Sequence, residues 1–145
     1  MTPPSDLVAL ARKTAGELNL DGTLVCAIVE QESSWDPWSM RYEPDFRARY
    51  VAPMGLPPTA EIARSISWGL MQLMGEAARE LRFNTGSLAQ LCDPATGLYW
   101  GCRAFSAKLK IAGDDESKAL ELWNGGGNPN YAAQVLARVG KYSGE

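Results

Sequence analysis

Histidine is absent from the 145-residue sequence, and its absence excludes several kinds of catalytic site. Without it the chain cannot form a Ser-His-Asp or Cys-His triad, a zinc site with imidazole ligands, or an imidazole general base. A catalytic proton near neutral pH must then be carried by a carboxyl group with a raised pKa, or less readily by Lys, Tyr or Cys. The search for a reactive group therefore begins with Asp and Glu.

Cysteine, basic charge and long apolar runs are also scarce. Cys26, Cys92 and Cys102 form no CxxC pair, so we expect three reduced packing residues, with no disulfide, metal site or cofactor. Fourteen basic against 17 acidic residues give no electrostatic basis for binding nucleic acid. No apolar run approaches the roughly 20 residues that span a bilayer. Residues 1–6 lack the pattern of a secretory signal, and the sequence predicts a soluble protein made in the cytoplasm, without membrane insertion.

Apolar residues at intervals of three and four predict helices along most of the chain. The predicted helices cover residues 5–18, 23–34, 67–81, 94–109, 117–123 and 131–139. There is no internal repeat or linker, and no alternating pattern predicts a long strand, although residues 50–52 are compatible with a short one. We expect one all-α domain over residues 1–145, with at most a short pair of strands.

Between the second and third predicted helices the helical periodicity disappears. Residues 35–58 contain five prolines, several aromatic residues and a run of mixed charge. This composition predicts a long ordered loop with one short helix near residues 45–50. Long loops inside a compact domain are usually functional, and we expect the same of this one.

Glu32 is the carboxylate best placed to have a raised pKa. It continues the apolar stripe of the second helix and lies at the end of that helix, beside the long loop. Burial there would raise its pKa and allow it to act as an acid near neutral pH. Glu30 is rotated about 200° from it and is expected to face solvent. Alternatively, Glu32 only marks the boundary of the core or pairs with an arginine such as Arg41 or Arg64.

Five tryptophans and one glycine-rich loop are suited to binding carbohydrate. A flat aromatic ring can stack on the apolar face of a sugar, and the amides of residues 124–129 can bond hydroxyl and acetamido groups. The loop lacks the Lys and Ser/Thr of a phosphate-binding loop. Alternatively the tryptophans are core residues, above all the one at position 100 in a predicted helix. They are Trp35, Trp38, Trp68, Trp100 and Trp123.

Three segments together resemble the soluble lytic transglycosylase family, whose lysozyme-like α fold is shared with goose-type lysozyme. The segment IVEQES at residues 28–33 resembles the Q-E-S segment that contains the family's catalytic glutamate. SWGLMQ at residues 67–72 is similar to the G-L-M-Q signature. LWNGG at residues 122–126, followed by Tyr131, is similar to A-Y-N-x-G and its downstream tyrosine. Residues 93–105 resemble the family helix that begins with N-P, so the resemblance covers nearly the whole chain in order.

The resemblance implies a peptidoglycan lytic transglycosylase with a lysozyme-like fold, whose single catalytic carboxylate is Glu32. This group would protonate the β-1,4 glycosidic oxygen between N-acetylmuramic acid and N-acetylglucosamine. It would then take the proton of the muramic C6 hydroxyl as a 1,6-anhydro ring closes. The resemblance implies contacts with the glycan strand from Ser33, Ser67, Met71, Gln72, Trp123, Asn124 and Tyr131. Met71 is alternatively a core methionine.

The sequence also departs from the family pattern. Thirty-six residues lie between Glu32 and Gly69, more than is usual, so residues 35–66 resemble an insertion in phage-encoded cell-wall lysins. Gly97-Leu98 stands where the family has N-I, and Trp123 stands where it has tyrosine, which puts fine substrate contacts in question.

From these features we expect a monomeric phage endolysin or virion-associated lysin. It would reach the periplasmic or extracellular wall by holin-type release or virion delivery. One alternative is a goose-type-like hydrolytic muramidase, in which an acid from the loop activates water. The other is a non-catalytic glycan-binding or virion structural module.

Overall fold

The computed structural model describes residues 2–144, most of which lie in α-helices. In chain order the helices are α1 (Ser5–Glu17), α2 (Gly22–Ser33), α3 (Pro44–Phe46), α4 (Pro58–Arg64), α5 (Gly75–Glu80), α6 (Pro94–Ile111), α7 (Glu116–Asn124) and α8 (Tyr131–Val139). Strands β1 (Met40–Tyr42), β2 (Ile66–Trp68) and β3 (Leu73–Met74) form one antiparallel sheet in that order. The predicted mostly-α, lysozyme-like fold class is confirmed, although the sheet has three strands and not at most one pair.

Helix α2 lies in the larger of two apolar cores. Asp21 caps its N-terminus by accepting a hydrogen bond from the backbone N–H of Thr23 at 2.9 Å. Every residue from Leu24 to Glu30 is buried, because both α1 and α8 pack against the helix. Leu98 and Phe105 of α6 complete the same core and are fully buried. The last turn of α2 is therefore held by packing along the whole helix before it.

This packing contradicts the expectation that Glu30 faces solvent. Glu30 is 4% exposed, because α8 and the 3-10 turn Gly140–Tyr142 cover its side of α2. Arg138, Lys141 and Tyr142 all donate hydrogen bonds to its carboxylate. The angular position of Glu30 on the helix could not predict its burial. A charged residue is buried only when partners compensate its charge, and these partners are distant in sequence.

The predicted helix over residues 67–81 is wrong in its first half. Strands β2 and β3 and the turn between them occupy that half, and only α5 is helical. Gly69 and Gln72 have φ angles of 73° and 52°, which interrupt a helix and close the turn. The apolar spacing suggested a helix because the turn residues Leu70 and Met71 are themselves buried.

A close approach of three backbone segments explains two glycines. A Cβ at Gly69 would lie 2.3 Å from the carbonyl oxygen of Leu91, and a Cβ at Gly97 would lie equally close to the same atom. Leu91 belongs to a 3-10 turn, Leu88–Cys92, that precedes α6. The turn between β2 and β3, this 3-10 turn and α6 can pack together only because both positions lack a side chain. Gly97, a departure from the family pattern, is therefore required by packing.

The segment expected to be a long loop has more regular structure than its composition suggests. After β1 and α3 come a π-helical turn, Arg47–Val51, and a 3-10 turn, Ala52–Met54. The short helix expected near residues 45–50 is confirmed, whereas the short strand suggested for residues 50–52 is wrong. β1 pairs with β2, so the segment is attached to the hairpin that replaces the predicted helix.

The cysteines agree with their prediction as packing residues. Cys26, Cys92 and Cys102 are all buried thiols. Burial, together with the nearby Cys26, raises the pKa of Cys102 to about 12, so this thiol stays protonated. Among residues 2–144, no helix is long and apolar enough to cross a bilayer.

Candidate active site

Glu32 lies in the last turn of α2, where two aromatic side chains hold its carboxylate. The hydroxyl of Tyr131, at the start of α8, donates to Oε2 from 2.5 Å. The indole Nε1 of Trp123, in α7, donates to the same oxygen from 3.3 Å. Three helices thus meet at one carboxylate oxygen, and within residues 2–144 no donor bonds Oε1. The second oxygen is therefore the one available to a substrate.

The pKa of the Glu32 carboxyl is raised above its ordinary value. Burial is the main cause, because it disfavours the charged form. The hydrogen bonds from Tyr131 and Trp123 and the positive charge of Arg41 lower the pKa and offset part of this effect. The carboxyl group consequently keeps its proton to a higher pH than a surface glutamate, as a general acid requires.

Neither arginine considered as a partner of Glu32 forms an ion pair with it. Arg41 Nε lies 3.2 Å from Glu43 Oε1, and Arg64 Nη1 lies 3.2 Å from Glu76 Oε1. The interpretation of Glu32 as half of a structural salt bridge is therefore wrong.

The two donors to Glu32 are themselves held in place. Tyr131 is 4% exposed, and burial, followed by the charge of Glu32 and their hydrogen bond, raises the pKa of its hydroxyl far above the usual range. That hydroxyl therefore remains a donor. The Trp123 ring packs edge-on against Phe105, with centroids 5.7 Å apart. Trp123 is expected among the glycan contacts, and in this structure its indole N–H donates to Glu32.

The turn of residues 69–72 is attached to the end of α2. The hydroxyl of Ser33 donates to the carbonyl of Leu70 at 2.8 Å. The side-chain amide of Gln72 donates to the carbonyls of Ser39 and Gly69, both at 3.0 Å. Two of the residues expected to contact substrate, Ser33 and Gln72, thus use their own hydrogen bonds to hold this turn beside the end of α2.

The side chains of Met71, in this turn, and of Ser67, in β2, are both buried. The Met71 side chain is 1% exposed, and its sulfur lies 3.9 Å from the sulfur of Cys102. This placement matches the interpretation of Met71 as a core methionine. Ser67 in β2 is 8% exposed, with its hydroxyl 3.1 Å from the sulfur of Met74. Neither side chain reaches the open surface in this structure.

A chain of amide groups connects the glycine-rich loop to α2. Gln134 Oε1 accepts from Gln31 Nε2 at 3.0 Å and from Asn128 Nδ2 at 2.9 Å. Asn124 Nδ2 in turn donates to the carbonyl of Asn128 at 3.2 Å. Asn124 therefore fixes the loop near the candidate acid. The sequence drew attention to Gln31 only as part of a motif and to Asn128 only as one amide of the glycine-rich loop. It carried no signal for Gln134, because the bond from Gln31 joins elements about a hundred residues apart.

Four of the five tryptophans are wholly or partly buried. Trp35 and Trp68 belong to the cores, while Trp100 and Trp123 are half-buried beneath neighbouring rings. Only Trp38 is exposed, at 76%. The carbohydrate-stacking interpretation thus applies to a single tryptophan. Among residues 2–144, no cluster of His, Cys, Asp and Glu side chains could hold a metal ion.

Comparison with known families agrees with this geometry. A family model described as "Transglycosylase SLT domain" matches residues 9–139. Neither the curated proteins nor the solved structures yield a match. The matched range contains Glu32, its two donors, the turn of residues 69–72 and the glycine-rich loop. Because it covers well over half of the sequence, the chain belongs to the transglycosylase SLT domain family.

Proposed function

We propose that this protein is a peptidoglycan lytic transglycosylase in which Glu32 acts first as acid and then as base. Membership of the SLT family supports a lytic transglycosylase activity on peptidoglycan in general. The observation that carries the finer proposal is the part-buried carboxyl group of Glu32 at the end of α2, whose Oε2 accepts hydrogen bonds from Tyr131 and Trp123. The bond that the enzyme cleaves would be the β-1,4 linkage between N-acetylmuramic acid and N-acetylglucosamine.

In the first step, protonated Glu32 donates its proton to the glycosidic oxygen. The bond between that oxygen and the muramic C1 breaks, and the N-acetylglucosamine leaves as an alcohol. The muramic 2-acetamido group stabilises the positive charge that develops at C1. Burial favours the protonated acid before this step, and the hydrogen bonds from Tyr131 and Trp123 stabilise the carboxylate that remains after it.

In the second step, the Glu32 carboxylate removes the proton of the muramic C6 hydroxyl. The C6 oxygen then bonds to C1 and closes a 1,6-anhydro ring. Glu32 regains its proton, and no water is consumed. One carboxyl group can therefore complete the cycle, because burial favours its protonated form and the two hydrogen-bond donors stabilise its ionised form.

The surroundings of the other nearby carboxylates favour this reaction over hydrolysis. A hydrolytic glycosidase normally uses two carboxyl groups on either side of the bond. Glu43 is paired with Arg41, and Asp36 accepts the backbone N–H of Trp38 at 2.9 Å. Asp36 and Glu43, two of the acids of the long segment, thus have structural partners, which supports a mechanism with Glu32 alone.

Products of peptidoglycan digestion test this proposal. We expect mass spectrometry to find muramic ends one water lighter than reducing ends, and Glu32→Gln to abolish their release while the variant still binds glycan. Glu121→Gln, an exposed acid in α7, is the matched control and should cleave normally. Reducing ends alone would identify a hydrolase. Absence of any cleavage by the wild type would contradict a catalytic function, and full activity of Glu32→Gln would reject Glu32 as the acid.

We further propose that the protein acts as a monomeric phage endolysin or virion-associated lysin, with holin-type release or virion delivery giving access to the wall. The long segment between Glu32 and the turn of residues 69–72, similar to insertions in phage lysins, supports this role. Expression in a Gram-negative host should cause lysis only when the inner membrane is permeabilised. Lysis without permeabilisation would contradict holin-type release. Light scattering of the purified protein should give the mass of a single chain, and a larger mass would contradict the monomer.

A further inference from the structure

A groove of about 490 Å³ lies between the loop that follows α2 and the 3-10 turn that precedes α6. The first wall is formed by Pro37 and Trp38, and the second includes Gln90, Cys92 and Asp93. The groove is thus mostly apolar, with a few polar groups along one side. None of the residues that line it is basic.

The exposed ring of Trp38 stands on a rigid loop. Its backbone N–H is bonded to the Asp36 carboxylate at 2.9 Å, and the N–H of Ser39 is bonded to the Asp36 carbonyl at 3.2 Å. The carbonyl of Ser39 accepts from both the backbone of Gly69 and the side chain of Gln72. The backbone on both sides of the ring is therefore fixed before any ligand arrives, which lowers the entropic cost of binding to the ring.

The chemistry of the groove matches a sugar ring. A pyranose presents an apolar C–H face that fits against a flat indole, and hydroxyl groups around its edge. Gln90 and Asp93 provide an amide and a carboxylate opposite Trp38. Asp93 is oriented by its hydrogen bonds from the backbone and hydroxyl of Thr96, at 3.0 and 2.9 Å. The absence of basic groups from the lining disfavours a phosphate or another polyanion.

The turn of residues 69–72 is bonded both to the end of α2 and to the loop that carries Trp38. On one side the turn is bonded to the end of α2, since Ser33 donates to Leu70. On the other side the N–H of Gly69 donates to the carbonyl of Ser39, the residue after Trp38, and Gly69 packs closely on the carbonyl of Leu91, the residue before Cys92. Trp38 also follows Glu32 by only six residues in the chain. We therefore expect one glycan strand to reach both.

We propose that this groove is an additional glycan subsite, in which Trp38 stacks on a sugar ring of the strand that Glu32 cleaves. The inference rests on the proposed function and extends it by placing a binding position in the segment that is longer than usual for the family. The subsite would lengthen the stretch of glycan that the enzyme holds, while leaving the chemical step at Glu32 unchanged.

Binding of a soluble hexamer of N-acetylglucosamine tests the subsite. Calorimetry is done in the Glu32→Gln background, so that no bond is cleaved. Trp38→Ala should weaken binding about fivefold or more, whereas Trp38→Phe should retain most of the affinity because it keeps a flat ring. Ile111→Ala removes a similarly exposed apolar side chain from the C-terminal end of α6 and should bind like the parent. Equal affinity of Trp38→Ala and its parent overturns the proposal.

A second measurement separates this inference from the proposed function. With Glu32 present, Trp38→Ala should raise KM for peptide-free glycan strands and leave kcat and the anhydro products unchanged. If the parent makes anhydro products but Trp38→Ala has the parent KM, the subsite is wrong and the proposed function stands. If Trp38→Ala loses only its binding to strands that carry peptide stems, the groove holds peptide and the subsite is again wrong.

Discussion

At the scale of single residues, Glu30 and Glu32 show how one helix gives two carboxyl groups opposite properties. Burial by itself raises the pKa of Glu30, but hydrogen bonds from Tyr142, Lys141 and Arg138 outweigh it and the pKa is lowered. Glu32 has only neutral donors, so burial prevails and its pKa is raised. The number and charge of the partners, more than the degree of burial, therefore separate a structural carboxylate from a candidate acid.

Tyr131→Phe should slow the reaction by about 10- to 100-fold, because it removes a hydrogen bond to the Glu32 carboxylate formed during the cycle. Loss of this donor should also raise the pKa of Glu32, since the bond lowers it. The fall in activity at high pH should then move to a higher pH, which a profile of kcat/KM would measure. Tyr99→Phe, on the exposed side of α6, is the control. An unchanged profile would show that Tyr131 only fills space.

Glu32→Gln should stabilise the protein as the pH rises. Below the pKa of the unfolded chain, about 4.3, Glu32 is protonated in both states and its raised pKa has no effect. As the pH rises above that value and through the higher pKa of the folded state, ionisation of Glu32 lowers the free energy of the unfolded state more than that of the folded state. The wild type therefore loses stability that the variant keeps. Urea unfolding at pH 4 and pH 8 should show a gain only at pH 8. If the unfolding free energies of Glu32→Gln and the wild type differ by the same amount at both pH values, the raised pKa is contradicted.

At the scale of elements, local signals predicted the long helices well. α6 begins as expected at Pro94, directly after Asp93, whose side chain caps the helix by accepting the N–H of Thr96. The hairpin of β2 and β3 was missed, because its turn depends on positive φ angles at Gly69 and Gln72 and its edge strand lies far earlier in the chain. Neither requirement leaves a trace in the spacing of apolar residues.

Gly69→Ala should destabilise the protein by about 2–4 kcal/mol, from left-handed strain and overpacking together. The strain follows from the φ angle of 73°, and the overpacking from the 2.3 Å approach to the Leu91 carbonyl. Gly16→Ala is the matched control, because a Cβ there meets no atom within 4 Å and α1 is helical. We expect it to be neutral or stabilising by up to about 1 kcal/mol. Equal unfolding free energies for the two variants would contradict this account of the turn.

At the scale of the whole molecule, a polar cluster joins the end of the chain to α2. Tyr142 donates to Glu30 at 2.5 Å and accepts the indole N–H of Trp35 at 2.9 Å. Trp35 and the preceding Ser34 have φ angles of 66° and 51°, directly after the helix that ends beside Glu32. The cluster therefore fixes the bend in the chain that leads away from the candidate acid.

Glu30→Gln should cost about 2 kcal/mol of unfolding free energy at pH 7, because charge-assisted hydrogen bonds are lost. Because the pKa of Glu30 is lowered in the folded state, this stability is fully present at a pH above the pKa of glutamate in the unfolded chain, about 4.3. It is lost as the pH falls below that value and through the lower pKa of the folded state. The unfolding free energies of Glu30→Gln and the wild type should differ less at pH 3 than at pH 7. Glu17→Gln, from an exposed pair with Lys13, should differ little at either pH. A difference that does not shrink on acidification would contradict the ionised cluster.

The candidate site shows the same division between local and distant information. Helical position singled out Glu32, and the family resemblance added Tyr131 and Asn124. The hydrogen bond from Trp123 and the amide network through Gln134 were not predicted, because they depend on how α7 and α8 are set against α2. Residue identity thus supplied the chemical groups, and tertiary packing decided which of them meet.

The two donors to Glu32 lie 91 and 99 residues beyond it in the chain. A growing polypeptide on the ribosome therefore carries the glutamate long before the groups that hold it have been made. A chain that stops short of Tyr131, through premature termination or proteolytic cleavage in the glycine-rich loop, keeps the glutamate but not the tyrosine that orients it. The candidate site is thus assembled only after Tyr131 has been made, and a copy cut before that residue would lack its hydroxyl donor.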